Sequence, residues 1–232
     1  MVAVDRKRVH GISELMKLVP PVDVVLLDMD GTLLDLGFDN YFWRAFVPER
    51  YSEHHGITVE EARSRLESWY LEHHGTLQWY CLDFWRDRLE MDVTAMKREI
   101  RHRIRVLPDV PRFLESVRRV GKRLVLVTNA HRDSLLVKME CTALHTHFDA
   151  VHSSHDFGLP KEDPEFWRRL QEVEHFSSPR TLLVDDSIPV LESARRFGIG
   201  QLVAIRRPEI DGPTREIEGF EQVDSVVELI EP

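Results

Sequence analysis

The chain has 232 residues, 42% of them hydrophobic and 31% charged, which is enough for one large or two modest domains with a real core. Its formal net charge of −9 argues against a general affinity for nucleic-acid backbone, which requires a basic face. Cys81 and Cys141 are too few for a disulfide framework. Residues 1–20 lack the continuous apolar core of a signal peptide, and no apolar run suggests a membrane span, so we expect a cytoplasmic protein.

Two elements are predicted before residue 36. Apolar residues at helical spacing predict a short helix over residues 12–19. The apolar, β-branched run 22–27 then ends in Asp28, Asp30 and Gly31, which is typical of a buried parallel strand whose carboxyl end opens into a site. The two carboxylates would repel each other unless a cation lay between them, so the pair favours a metal ion. An acidic turn that merely closes the strand is the alternative.

Residues 36–107 have a different composition, with charged and aromatic residues at helical spacing and no β-branched runs. Thr58 begins a capping box, and Gly75 is placed to end the helix that follows it. The predicted helices of this region cover residues 39–50, 58–74, 79–90 and 94–105. We interpret the region as a helical insert.

From residue 108 onward, predicted helices and strands alternate strictly. The strands cover residues 123–127, 148–152, 181–184 and 202–205, and the helices cover residues 109–120, 134–144, 164–173, 189–197 and 225–230. Alternation of this kind builds a parallel sheet with helices on both faces, to which the strand at 22–27 also belongs. The sequence therefore predicts an α/β fold with a discontinuous core of residues 1–35 and 108–232, and the helical insert of residues 36–107 after the first strand.

Polar side chains stand at further strand ends. Thr128 and Asn129 follow the second predicted strand, Asp185 and Asp186 follow the strand at 181–184, and Lys161 lies in a loop before a helix. Each of these groups alone is more often part of an ordinary turn. Because parallel strands bring their carboxyl ends to one edge of a sheet, we expect all of them to converge with the acids of the first strand.

The order of these segments resembles the four signatures of the haloacid dehalogenase-like superfamily. The match is carried by Asp-Met-Asp-Gly-Thr-Leu-Leu at residues 28–34, then Thr128-Asn129, Lys161 and Asp185-Asp186, and it covers nearly the whole chain. It implies a Rossmann-like core, a helical cap at residues 36–107 and phosphoryl transfer through an aspartyl phosphate. Asp30 favours the phosphatases of the family, because its true dehalogenases do not carry an aspartate at this position.

The resemblance also implies a Mg²⁺ site. In the family pattern the metal takes the Asp28 carboxylate, the Asp30 main-chain carbonyl and the Asp186 carboxylate, while Asp185 acts through water. Such an all-oxygen set suits Mg²⁺ bound next to a substrate phosphate.

The same family pattern implies the catalytic roles. Asp28 attacks phosphorus, and Asp30 protonates the leaving alkoxide and later takes a proton from the hydrolytic water. Lys161 neutralises both the phosphate and Asp28. Thr128 and Asn129 fix the phosphoryl oxygens, which is the positioning that phosphoryl transfer mainly requires.

Substrate specificity is expected to come from the insert, which is rich in aromatic residues. Most of them can form the core of the insert itself, and helical spacing favours this for Trp69, Tyr70, Phe84 and Trp85. Those better placed to meet a ligand are Asp39, Asn40, Trp43, Trp79 and Tyr80. His131 either reaches a substrate oxygen or binds the backbone of its own loop. The other histidines show no recognisable zinc-ligand set.

Within the superfamily, the chain most resembles bacterial 5'-nucleotidases that act on the purine nucleotides GMP and IMP. The match lies in residues 28–43, 77–85, 128–131 and 161–163. It implies a purine nucleoside monophosphate as substrate, and neither a nucleic-acid polymer nor a membrane as partner. The alternatives are a phosphatase or mutase acting on a small sugar phosphate or phosphoglycolate-like substrate, and a binding module with a retired site. Monomer and dimer both remain open.

Overall fold

A computed structural model describes residues 22–230, so the helix predicted over residues 12–19 lies outside the described part of the chain. Within it, one six-stranded sheet has the order β3-β2-β1-β4-β5-β6, and every neighbouring pair is parallel. The strands are β1 Val24–Leu27, β2 Arg123–Thr128, β3 Ala150–Ser153, β4 Thr181–Asp185, β5 Gln201–Ile205 and β6 Glu221–Val223. The predicted parallel α/β sheet is confirmed, although the short, partly exposed edge strand β6 was missed.

Helices cover both faces of the sheet. They are α7 Val110–Arg119, α8 Arg132–Thr142, α9 Pro164–Glu174 and α10 Ile188–Phe197. Because successive side chains of a strand point to opposite faces, Val25 and Leu27 pack with Phe113 of α7, while Leu26 packs with Trp167 of α9. The helix predicted over residues 225–230 is only a 3₁₀ turn, Val226–Leu229.

The insert, which lies between β1 and α7, forms a set of helices with a hydrophobic cluster of its own. This cluster includes Phe42, Leu66, Trp85 and Leu89. The helices are α1 Gly37–Tyr41, a π-helical turn Phe42–Phe46, α2 Val47–His55, α3 Val59–His73, α4 Leu77–Tyr80, α5 Leu82–Leu89 and α6 Val93–Glu99, followed by the 3₁₀ turn Arg101–Arg103.

The structure departs from the predicted helix bounds at two places in this insert. The first helix continues past Pro48 to His55, because the π turn widens the helix just before the proline, whose ring an α-helix interior would not accept. The helix predicted over residues 79–90 is broken at Cys81, which has extended backbone angles and caps α5 through its sulfur.

The two chain segments that connect the insert to the sheet run side by side. The Leu107 N–H donates to the Leu33 carbonyl at 2.9 Å, and the Asp35 N–H donates to the Arg105 carbonyl at 2.9 Å. Buried Asp35 also pairs with the Arg105 guanidinium at 2.6 Å. The entry and exit of the insert are therefore joined to each other near the end of β1. Among the described helices, none is both long and apolar enough to cross a membrane.

Candidate active site

The register of the central strands places the ends of β1, β2 and β4 side by side, together with the polar residues that follow them. Leu27 of β1 is paired with Leu126 of β2 and with Val184 of β4. The next residue on β1, Asp28, donates its N–H to the Val184 carbonyl at 3.0 Å and so lies beside Asp185. This is the point at which the strand order reverses, where open α/β sheets bind ligands.

Lys161 lies at the centre of this edge and is almost fully buried. Its ammonium is 2.5 Å from Asp28 Oδ1, 2.7 Å from Asp185 Oδ2 and 3.0 Å from the Val127 carbonyl. Its own N–H donates to Asn129 Oδ1 at 2.9 Å, which fixes the loop. Burial opposes the charge, but the two carboxylates outweigh burial and raise the pKa of Lys161. Lys161 is therefore a permanent cation beside Asp28.

Three carboxylates meet at the same place. Single oxygens of Asp28, Asp185 and Asp186 lie within 4.8 Å of one another. Burial raises the pKa of Asp28 to about 6 and that of Asp186 well above its ordinary value, and the neighbouring acids add to both shifts. Arg215 stands 3.4 Å from Asp186 Oδ2. Because buried acids in excess of cations and an oxygen-only donor set are what a hard cation requires, the residues fit Mg²⁺.

Asp30 lies in the loop after β1, and its carboxylate turns toward the insert. Asp30 Oδ1 is 2.7 Å from the ammonium of Lys138 on α8. Burial raises the pKa of Asp30 to about 6, with Asp39 and Asp28 adding to the shift and Lys138 opposing it. A carboxyl of this kind can hold and release a proton near neutral pH.

A line of buried charges continues from Asp30 into the insert. Lys138 also contacts Asp39 Oδ2 at 2.6 Å, and Lys97 of α6 contacts Asp39 Oδ1 at 2.6 Å. The Lys97 ammonium lies 4.5 Å from the centroid of the Phe42 ring. Sequence reasoning missed both lysines. The available signal was a lysine on the apolar face of a helix, as at Lys138 among the buried residues of α8.

Asn129 connects the site to the insert through a second contact. Its amide donates to Glu162 Oε2 at 2.8 Å, and the Tyr80 hydroxyl donates to Glu162 Oε1 at 2.6 Å. Thr128 is buried and its hydroxyl accepts the Ala130 N–H at 3.0 Å. Both side chains predicted to bind phosphate oxygens thus lie beside Lys161. Glu162 was not predicted as part of this arrangement.

One cavity of about 300 Å³ contains the whole set and extends under the insert. Its polar end is lined by Asp28, Asp30, Thr128, Asn129, Lys161, Asp185 and Asp186. Its other end is lined by Asp39, Asn40, Trp43, Tyr70, Trp79, Tyr80 and His131. Tyr70 packs against the hydrophobic cluster of the insert, as its spacing predicted, and also lines the cavity. We call the wall at the sheet edge the charged end and the wall formed by the insert the aromatic end, although the insert also contributes the charged Asp39, Arg44 and Lys97.

The residues at the aromatic end already have partners. Trp43 and Trp79 each make edge contacts with the Tyr70 ring, at centroid distances of 5.8 and 5.4 Å. The Asn40 amide donates to Glu209 Oε2 at 3.1 Å. His131 accepts the Asp133 N–H at 3.4 Å, so it both binds its own loop and lines the cavity.

Comparisons with known proteins agree with this geometry. Residues 22–198 match the family model of haloacid dehalogenase-like hydrolases. The chain is 44% identical over 188 residues to the GMP/IMP nucleotidase YrfG of Escherichia coli K12, covering 81% of this chain and 85% of that one. A haloacid dehalogenase-like (HAD) phosphatase of Thermococcus onnurineus has a similar structure, with a TM-score of 0.78, 25% identity and coverage of 90% and 96% of the two chains.

The L-2-haloacid dehalogenase of Xanthobacter autotrophicus shares the fold alone. Its TM-score is 0.63 at 17% identity, with coverage of 90% of this chain and 96% of that one. By its family match and its nucleotidase relative, the chain belongs to the haloacid dehalogenase-like hydrolases and is a phosphoric monoester hydrolase.

Proposed function

We propose that the chain is a Mg²⁺-dependent 5'-nucleotidase that hydrolyses purine nucleoside monophosphates through an aspartyl phosphate on Asp28. The observation that carries the proposal is the meeting of Asp28, Lys161 and Asp186 at the charged end of a cavity whose other end is aromatic. The first end suits a phosphate, and the second suits the flat apolar face of a base.

The metal would be held by the carboxylates of Asp28 and Asp186 and the main-chain carbonyl of Asp30, with Asp185 acting through water. Bound there, Mg²⁺ would neutralise the charge of the phosphate, about −1.5 to −2 at neutral pH. Both Asp185 oxygens already accept hydrogen bonds, from the Lys161 ammonium at 2.7 Å and the Ser187 N–H at 2.9 Å. Asp185 therefore mainly orients Lys161.

Side chains of the protein carry out two displacement steps at phosphorus, namely transfer of the phosphoryl group to Asp28 and hydrolysis of the aspartyl phosphate. Asp28 attacks phosphorus, and Lys161 stabilises both the carboxylate and the phosphoryl oxygens. Thr128 and Asn129 hold those oxygens in line for attack. Asp30 gives its proton to the leaving alkoxide, then accepts one from the water that cleaves the aspartyl phosphate.

We assign residues 1–35 and 108–232 to a catalytic core and residues 36–107 to a cap that closes over it. The separate hydrophobic cluster of the insert and its paired connections at Asp35 and Arg105 support this division. A lid of this kind excludes water and contacts the leaving group. The base is placed between the cap aromatics, with Trp43 and Trp79 as stacking faces and Asn40 and His131 as polar contacts.

Asp39 differs from the residues proposed to contact the base, because it binds two lysines. Each of its carboxylate oxygens is bonded to a lysine, so only its remaining lone pairs are open to a substrate group. The two lysines hold its pKa below the ordinary range despite burial, which favours the charged form. Asp39 therefore acts first on Lys97 and Lys138, and through them on the shape of the cavity.

The identity of the substrate is supported by the relative, which is named for GMP and IMP. The test is a panel of phosphate esters with Mg²⁺, containing purine and pyrimidine monophosphates, small sugar phosphates and phosphoglycolate. We expect GMP and IMP to be hydrolysed with the highest kcat/KM, and chelation of the metal to abolish phosphate release.

The variant Asp28→Asn should be inactive on every ester. Asp109→Asn is the matched control, because Asp109 is an exposed aspartate before α7 with a positive φ of 63° that asparagine also accepts. Preference for sugar phosphates over nucleotides would reject the proposed substrate. Full activity of a verified Asp28→Asn protein would reject the proposed nucleophile.

A further inference from the structure

A second group of metal-binding side chains lies beside the carboxylate site. Donor atoms of Cys81, His131 and His155 lie within 4.8 Å of one another. The three residues are distant in sequence: Cys81 separates α4 from α5 in the insert, His131 follows β2, and His155 lies in the 3₁₀ turn Ser154–Asp156 after β3. Their spacing of tens of residues explains why the sequence showed no ligand set.

The local geometry leaves one ring nitrogen free, on His155, whereas His131 ligates a metal only by giving up the bond that it accepts from the Asp133 N–H. His155 Nε2 is buried and has no hydrogen-bond partner among the described residues. The His131 ring is 13% exposed and lies 4.9 Å from the His155 ring, centroid to centroid. Cys81 is a free thiol whose sulfur is fixed at the start of α5, where it accepts the Phe84 N–H at 3.4 Å. A buried imidazole nitrogen without a partner, in a group that also holds a free thiol and a second imidazole, is unusual for a merely structural contact.

The chemistry of the group differs from that of the active site. One sulfur and two imidazole nitrogens are the donors that Zn²⁺ and related softer cations select, whereas Mg²⁺ prefers oxygen. Asp83 Oδ2 stands 3.5 Å from His131 Nε2 but is not one of the clustered donors, so a water would complete the coordination. Zinc bond lengths near 2.0–2.3 Å place tetrahedral donors about 3.5 Å apart. A contraction of at most about 1.3 Å is therefore needed, which side-chain rotation of the half-buried group can supply.

We propose that Cys81, His131 and His155 form a binding site for Zn²⁺ or a similar soft divalent cation, separate from the Mg²⁺ site. The bound ion joins the insert, through Cys81, to two loops of the sheet edge. It reinforces the neighbouring bond between Tyr80 and Glu162. Because His131 lines the cavity, the ion lies at the cavity wall, and binding it withdraws His131 from the base contact of the proposed function. If the insert opens as the proposed function requires, this ion opposes opening and slows turnover.

The test uses Co²⁺ as a spectroscopic probe on the full chain in saturating Mg²⁺, without substrate. A cobalt–thiolate bond gives a charge-transfer absorption that a carboxylate site cannot produce. We expect the wild-type protein to show this absorption with one equivalent of Co²⁺ and to lose it when Zn²⁺ is added. Because no turnover is measured, the result does not depend on the proposed reaction.

Cys141→Ser is the matched control, since Cys141 is the other free cysteine and is exposed on α8, outside the cluster. We expect this variant to behave like the wild type and Cys81→Ser to give no charge-transfer absorption. His155→Gln keeps the thiol and should weaken the affinity for Co²⁺ by roughly 10–100-fold, even if Cys81→Ser fails to fold. Circular dichroism checks the fold of each variant.

The proposal is overturned if the wild type shows no thiolate absorption with Co²⁺, if the absorption survives in folded Cys81→Ser, or if it is lost in Cys141→Ser. It is also overturned if His155→Gln binds Co²⁺ as tightly as the wild type. A thermal shift with Zn²⁺ that is equal in the wild type and Cys81→Ser would assign zinc binding to other groups. A shift seen in the wild type and Cys141→Ser but absent in Cys81→Ser supports the site.

Discussion

Lys138 is buried between two carboxylates, Asp30 and Asp39. It contacts Asp30 at 2.7 Å and Asp39 at 2.6 Å. Burial alone would lower the pKa of a lysine, but the two acids outweigh it and raise the pKa of Lys138. Removing this ammonium leaves two buried carboxylates to repel each other across the wall of the cavity.

We predict that Lys138→Met lowers the free energy of unfolding by roughly 3–5 kcal/mol, the usual cost of breaking a buried pair. Urea denaturation measures the change. Lys122→Met is the control, because Lys122 lies in the turn after α7 away from the cavity and should change stability by no more than about 0.5 kcal/mol. Equal effects of the two substitutions would show that the Lys138 ion pairs contribute little.

Gly31 is the residue that lets Asp186 approach the loop after β1. Its φ is +85°, and a Cβ at this position would lie 2.7 Å from Asp186 Cγ and 2.9 Å from Pro208 Cβ. Any side chain here must displace Asp186, one of the three carboxylates of the proposed metal site.

We predict that Gly31→Ala reduces kcat by on the order of 100-fold, the loss expected when a reacting group is displaced by about 1 Å. The control is Gly121→Ala, which has a similar φ of +72° with nothing within 4 Å of the added Cβ. It should cost about 1–2 kcal/mol of stability and leave kcat unchanged. The account of Gly31 fails if both variants keep the same kcat.

At the residue scale, the sequence was sufficient to predict the position of polar residues that directly follow a strand. Asp28, Thr128 and Asp185 were predictable because register alone places strand ends together. Lys97 and Lys138 were missed, because a lysine on the apolar face of a helix indicates burial but not its partner, and their partner Asp39 comes from a distant segment. Their positions depend on how the insert packs on α8.

Helices whose ends carry a local sequence signal were predicted well. The capping box at Thr58 is formed in full, since the Glu61 N–H donates to Thr58 Oγ1 at 3.2 Å and the Thr58 N–H donates to Glu61 Oε2 at 2.9 Å. The break at Cys81 was invisible, because it depends on tertiary contacts of the two short helices beside it. The π turn before Pro48 likewise has no sequence signal of its own.

We predict that Thr58→Ala costs about 0.5–2 kcal/mol of stability, because the first turn of α3 loses its side-chain acceptor. Chemical denaturation followed by far-UV circular dichroism measures this loss. Ser64→Ala, an exposed hydroxyl in the same helix, is the control and should be neutral or slightly stabilising. Similar stabilities of the two variants would mean that the capping box does not hold the helix end.

At the scale of the whole molecule, the insert and the sheet meet through a few polar contacts above the cavity. The bond from the Tyr80 hydroxyl to Glu162 is one of them, and Glu162 in turn holds the Asn129 amide. Closure of the insert is thereby connected to a residue that positions the phosphate in the proposed mechanism.

We predict that Tyr80→Phe lowers kcat/KM for a nucleotide by roughly tenfold or more, since a hydrogen bond to a charged group contributes about 1.5–3 kcal/mol. Steady-state kinetics measure the effect. Tyr51→Phe is the control, because Tyr51 is buried in the hydrophobic cluster of the insert and should leave kcat/KM unchanged. If Tyr80→Phe retains wild-type kcat/KM, this contact does not govern closure.

The central claim is that Asp28 receives the phosphoryl group. The most direct measurement is rapid acid quenching during a single turnover of a phosphate-labelled substrate, followed by peptide mapping of the label. We expect the label on the peptide that contains Asp28 in the wild type and no labelled peptide in Asp28→Asn. Label on any other residue, or turnover that persists in Asp28→Asn, would contradict the account.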